Sequence, residues 1–240
     1  MIEIALSLGI LAFALIAIIG VLPLGLKTQR ENQYDTIINQ EGLYWMEAIR
    51  SGAKGLEEFT NYIETIETSF TATGPGSRRE AGSSTWRPNR LTNGQMIIGL
   101  LSAPQHETEV GPRFRTNLVK AVIRASTGNA LMTKRPSSEL GFRYLVEPEV
   151  IPFVSERNIG FMATNLFEIR VTLRWPLIPA PTTFPITNYL SRRPDQWIAG
   201  PGKRTFRTLV AGHLEKVPTG NIASPWFYWF HPNDYQVTAQ

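Results

Sequence analysis

The sequence predicts an α+β protein: one long N-terminal helix, then an antiparallel β-sheet. Three observations predict it. Residues 4–26 carry no charge and consist mainly of Leu, Ile, Ala, Val and Phe. Beyond Pro23, apolar residues recur at spacings of 3, 4 and 7, the period of one helix face. Further along, short runs of alternating polarity are separated by Gly, Pro and Ser, which is the pattern of half-buried strands.

The apolar run is a membrane-crossing element by length. At ~1.5 Å per residue it makes a helix of roughly 34 Å, enough for a hydrocarbon core of ~30 Å. A secretory signal peptide would begin with a basic residue, hold a shorter apolar core and end in a small-x-small cleavage site. Here the start is acidic at Glu3, the core is longer, and the end reads Pro23-Leu24-Gly25-Leu26-Lys27. Glu3 is the one residue of the run that lipid disfavours. At a helix N-terminus a carboxylate gains ~0.3–1 kcal/mol from the macrodipole, whereas at the centre of a bilayer it costs ~2.5–3.5 kcal/mol. Two readings follow: an acid held at the headgroups, or a carboxylate that finds a positive partner when the helix packs with copies of itself.

The stretch MIEIALSLGILAFALIAIIGVLPLGL resembles the N-terminal helix of type IV pilins and type II secretion pseudopilins, of the class III type. In that family a Glu close to the mature N-terminus precedes an unbroken apolar run, with a helix-weakening Gly or Pro about twenty residues on. The closing segments FEIRVTLRWPLIP and GPGKRTFRTLVAGHLEK further resemble the pilin-like Verru_Chthon cassette protein B group. The resemblance implies a structural subunit, stored in the bacterial inner membrane and assembled into a helical cell-surface filament. Glu3 would pair with the N-terminal amine of a neighbouring subunit. Ile4, Leu8, Leu11, Leu15, Ile18 and Leu22 would pack the filament core, and Gly20, Pro23 and Gly25 would let the helix unwind or kink. It also implies a prepilin peptidase, N-terminal methylation, and a pilus or secretion assembly machinery as partners. One departure stands out: the family glutamate is usually the fifth mature residue, after a basic leader, and here it is third. The first basic residues, Lys27 and Arg30, follow the apolar run, so the positive-inside rule alone would leave the C-terminal part in the cytoplasm. The family pattern reverses that orientation. A minor pseudopilin of a secretion system, and an anchored extracytoplasmic binding domain that does not polymerise, are the alternatives.

The remaining elements follow in chain order. Tyr34, Ile38, Trp45, Ile49, Leu56, Phe59, Ile63 and Ile66 form one apolar stripe. It predicts a helix to about residue 51, a turn at Ser51–Gly55 and a second helix over Leu56–Thr68. The expected organisation is therefore an apolar helix over 1–26, an amphipathic helical continuation over 27–70 that packs on a sheet, and a β-rich extracytoplasmic domain over 71–240. Residues 71–94 read as loop. Strands are expected at Gln95–Ala103, Leu118–Ala125, Phe142–Val154, Leu166–Leu177 and Arg204–Val217. In the fourth, Phe167, Ile169, Val171, Leu173 and Trp175 share one face, and Glu168, Arg170, Thr172 and Arg174 the other.

Catalytic and metal-binding chemistry finds little support. The absence of cysteine excludes disulfides and thiolate sites, and the three histidines, His106, His213 and His231, lack metal-ligand spacing. The 24 basic and 20 acidic residues are interspersed, so nucleic acid is not an expected partner. AGPGKRT at 199–205 misses the phosphate-loop pattern at two positions, Trp197 and Arg204, and reads as a turn entering a strand. Glu147 and Glu149 read as an unpaired surface pair on one strand face. No cofactor is expected. Five consecutive aromatics, Trp226, Phe227, Tyr228, Trp229 and Phe230, read as a strand either buried on both faces or shared between the core and a neighbouring subunit.

Overall fold

The computed structural model describes residues 2–52, 57–74, 79–91, 93–108, 114–125, 142–153, 164–180, 197–220 and 226–235. The chain divides into two compact units, Met1–Gln40 and Glu41–Gln240. The first is helix. α1 runs over Ile2–Ser51, with Glu3 in its first turn, and is unbroken through Pro23; its last turns belong to the second unit. Gly52, with φ of +67°, ends it: only a residue without a Cβ adopts this left-handed conformation at no steric cost.

Among its described residues, the second unit is built on a curled antiparallel sheet of eight strands. After a 3-10 turn at Glu57–Asn61 come β1 (Ile63–Thr73), β2 (Glu80–Trp86), helix α2 (Gly94–Leu101), β3 (His106–Thr108), β4 (Phe114–Arg124), β5 (Arg143–Pro152), β6 (Leu166–Pro179), β7 (Trp197–Pro218) and β8 (Trp226–Pro232). The spatial order is β2-β1-β4-β5-β6-β7-β8, with β3 on β4. The curl brings the ends of that order together, since the rings of Trp86 on β2 and Phe227 on β8 lie 6.0 Å apart.

Alternation of side chains gives the sheet an inner and an outer face. The inner row Ala121, Val146 and Leu173 runs across β4, β5 and β6 in register, and all three are fully buried. Trp45 and Ile49 of α1, Phe59 of the 3-10 turn, and Ile97, Ile98, Leu100 and Leu101 of α2 join this core. The outer face has a smaller core of its own, where Val122 and Leu145 pack with Leu177 and Trp197.

Four expectations are corrected. Of the second helix expected over Leu56–Thr68, Glu57–Asn61 is a 3-10 turn and Ile63 onward is strand, Leu56 lying outside the described residues. Ile63 and Ile66 satisfy a helical spacing, but the run IETIETSFTAT is rich in β-branched residues, which suit a pleated surface better. The expected strand Gln95–Ala103 is α2. Asn93 is its N-cap, with its side-chain oxygen accepting from the Met96 N–H at 2.8 Å. The loop over 71–94 contains the end of β1 and all of β2, an edge strand of small residues that sends only Trp86 into the core. The turn at 199–205 is continuous strand. Its glycines serve close packing: a Cβ on Gly202 would come within 2.5–2.7 Å of the Trp175 ring. The strands expected over Leu118–Ala125, Phe142–Val154, Leu166–Leu177 and Arg204–Val217 are present as β4, β5, β6 and β7, the last starting seven residues earlier.

Because that ring cannot shift without disturbing the β6–β7 ladder, Gly202→Ala is expected to cost ~1–3 kcal/mol, as overpacking typically does. Urea unfolding of the detergent-solubilised chain, followed by tryptophan fluorescence, measures it.

Candidate functional site

Two regions carry features beyond ordinary packing: the exposed apolar helix, and a set of buried polar groups inside the sheet. On the helix, Ile4, Leu8, Leu11, Leu15, Ile18 and Leu22 are all more than half exposed, and so are Ile10, Phe13, Ile16 and Ile19 on its other sides. An isolated helix that is apolar all round requires lipid or other protein around it. This helix is long and apolar enough to cross a membrane, and none of its most apolar window is buried. Ser7 and Thr28 donate their hydroxyls back to the carbonyls of Glu3 and Leu24, at 2.9 and 3.1 Å, so these two hydroxyls are satisfied within the helix. Pro23 has no N–H to give to the preceding turn, and a Cβ added at Gly20 or Gly25 would meet nothing within 4 Å. The helix nevertheless continues through all three.

In the second unit a hydrogen-bonded chain ties the end of α1 to β5. Trp45 Nε1 donates to the Tyr144 hydroxyl at 2.7 Å, and that hydroxyl donates to Glu41 Oε2 at 2.6 Å. All three side chains are almost fully buried. Burial, and then the Glu41 carboxylate, raise the Tyr144 phenol well above its ordinary value, so the proton stays on Tyr144 and points at Glu41. The indole of Trp45 also stacks on Phe59, with centroids 4.6 Å apart and planes at 24°.

A second buried pair lies on the neighbouring residue of β5. Arg143 Nε donates to Glu64 Oε1 at 2.7 Å, with both side chains 4% exposed, and the guanidinium lies 5.3 Å from the Trp197 ring centroid. Burial pushes the Glu64 carboxyl up and Arg143 pulls it back; burial wins. Its other oxygen, Oε2, has no hydrogen-bond partner among the described residues, although the charge of Arg124 also favours the carboxylate.

The five aromatics of β8 do not present one free face. Phe227, Tyr228 and Phe230 are buried, while Trp226 and Trp229 keep part of their surface. Phe230 meets Phe167 edge-on, Trp229 donates to the carbonyl of Gln95 on α2 at 2.8 Å, and Tyr228 donates to Glu107 at 2.7 Å. Glu147 is not unpaired: Arg174 donates to it at 2.9 Å, and Lys120 lies 3.8 Å away. Among the described residues, no group of three or more His, Asp and Glu side chains is arranged to hold a metal ion.

Sequence reasoning did not single out Glu41, Glu64, Arg143 or Tyr144. A signal existed for Glu41, which stands four residues before Trp45 and eight before Ile49, within the apolar stripe. Glu64 carries no comparable signal, because its burial depends on pairing between β1 and β4. Comparisons of the chain with protein-family models, with curated proteins and with solved structures find no match.

Tyr144→Phe removes the acceptor of Trp45 and a donor to Glu41, and is expected to cost ~1–3 kcal/mol in urea unfolding. Glu64 gives a pH dependence of known sign. With its folded pKa raised, its contribution to stability is fully present below the unfolded value of about 4.3 and is lost as pH rises through the folded value. Stability measured between pH 4 and pH 7 is expected to fall less steeply in Glu64→Gln than in the wild type.

Proposed function

We propose that the chain is a structural subunit of a type IV pilus-like filament, held in a membrane by its N-terminal helix and assembled through it. The observation that carries this reading is a helix whose residues 4–26 are uncharged and uncovered, with one carboxylate, Glu3, at their head, in the same chain as a β-sheet unit that has a core of its own. Burying each large apolar side chain is worth ~1.5–3 kcal/mol. Lipid supplies that environment to a lone subunit, and the helices of neighbouring copies supply it in an assembly.

Glu3 decides between an anchor and an assembly element. Once neighbouring helices replace lipid and headgroups, an ionised carboxylate needs a charge partner. By resemblance that partner is the N-terminal amine of the next subunit, and the pairing sets the axial stagger. Gly20, Pro23 and Gly25 weaken the helix about twenty residues in and are where it would stretch on assembly. The β unit then coats the outside. Contacts that repeat head-to-tail without closing generate a filament by symmetry.

Glu3→Ala is expected to reach the membrane in normal amount, because removing a charge from an apolar helix does not impede insertion. The yield of sheared surface filaments is expected to fall by at least about tenfold, the loss that corresponds to ~1.4 kcal/mol per contact. Normal filament yield from the variant would contradict the proposed pairing.

A further inference from the structure

The outer face of the sheet carries a charge imbalance that the fold itself does not resolve. Its rows run across β5, β6 and β7 in register: Glu147, Thr172 and Thr205 in one, and Glu149, Arg170 and Arg207 in the next. On the far side of the first row, Arg174 stands opposite Lys203. The β5 column is acidic and the β6 column neutralises it. Arg174 donates to Glu147, and Arg170 holds Glu168 on its own strand with two bonds of 2.8 and 2.7 Å. Between Lys203 and Leu209 the β7 column has no acid of its own on this face. Arg207 and Lys203 sit directly opposite Arg170 and Arg174, an arrangement of like charges that destabilises a strand pair. Both are exposed, and among the described residues no ion pair reaches either one. Leu209, next along the same face of β7, is 54% exposed.

Elsewhere on the same unit lies a patch of opposite character. The 3-10 turn begins with Glu57 and Glu58, both exposed and without an ion-pair partner among the described residues. Beside them is Tyr44, 39% exposed, with its ring 5.2 Å from that of Phe59. Burial first, and the charge of Glu58 next, raise the Tyr44 phenol. Each patch therefore combines two like charges with one exposed apolar side chain, and the two signs are opposite.

We infer that these patches meet between copies: the β7 column of Lys203, Arg207 and Leu209 docks on the Glu57–Glu58 turn and Tyr44 of the next subunit. The inference rests on the filament reading. It adds to that reading a lateral contact on the β unit, independent of the apolar helix. Because the two patches are different surfaces, the contact is heterologous and repeats without closing, which suits a helical assembly. Complementary charge of this kind selects partner and register more than it adds raw affinity. The acid whose field reaches Arg207, Glu168, is already held by both of its bonds to Arg170, so the β7 cations remain open to an incoming carboxylate.

A charge-exchange experiment on the full-length chain in its native host tests this. The variants are Lys203→Glu with Arg207→Glu, Glu57→Lys with Glu58→Lys, and the combination of all four. Sheared filaments are quantified by sedimentation and electron microscopy, and thermal unfolding of the solubilised chain confirms that each variant is folded. Each double reversal is expected to lower filament yield by at least about tenfold, and the combination to restore it to within about threefold of wild type. A milder pair, Lys203→Gln with Arg207→Gln, is expected to lower yield severalfold and serves if the reversal does not fold. Unchanged yield in either reversal overturns the contact and leaves the filament reading standing. Loss in both without rescue in the combination also overturns it, and assigns the cations to another acidic partner such as a polyanion. Absence of filaments from the wild-type chain overturns both.

Discussion

The contact on which the β unit depends is the seating of the last turns of α1 against the inner face of the sheet. Trp45 makes it in two ways, by stacking on Phe59 and by giving its N–H to Tyr144. Tyr144 in turn gives its proton to Glu41, one helical turn before Trp45. Apolar packing alone would tolerate a rotation or slide of the helix, since any ridge of side chains can find another groove. Three buried polar groups that satisfy one another do not, because a small slip leaves an unpaired carboxylate or N–H in a dry core, at a cost of ~1–3 kcal/mol or more. The chain of bonds therefore fixes rotation and height of these turns on β5.

The second buried pair, Glu64 and Arg143, performs a related task on the opposite face. Arg143 precedes Tyr144, so adjacent residues of β5 point to the two faces, one into each polar cluster. The two clusters differ in how well they are balanced. Tyr144 keeps its proton and serves Glu41 at any physiological pH, whereas Glu64 bears a desolvation penalty that its ion pair with Arg143 does not cover. The outer face beyond Arg143 is then a ladder of charges across β5, β6 and β7, alternating in sign until the last column.

Much of this was legible in the sequence. The apolar helix, its acid at position 3, the change from helical to strand periodicity and the two faces of β6 follow from residue pattern alone. β6 is the clearest case, because between Phe167 and Trp175 one face is wholly core and the other wholly charged or hydroxylated. What was not legible depended on neighbours remote in sequence. Ile63 and Ile66 are three apart, a helical spacing that a strand accommodates on one face only through the bulge between Ile63 and Thr65, and that bulge belongs to the pairing of β1 with β4. α2 was hidden because eight residues give too short a window for periodicity, although the Asn93 cap was present to be read. β2 carries almost no apolar signal, as suits an edge. The aromatics of β8 announced a buried strand, but their burial on both sides follows from the curl of the sheet, which places α2 on one side of them and Phe167 on the other.

The central claim is that the uncovered apolar helix is an assembly element. Negative-stain electron microscopy of sheared cell-surface material, combined with mass spectrometry of the N-terminal peptide, tests it most directly. Thin filaments composed of this chain, with a methylated N-terminal amine close to Glu3, are the predicted result. Recovery of the chain only from the membrane fraction, as single copies and with no filament containing it, would contradict the account.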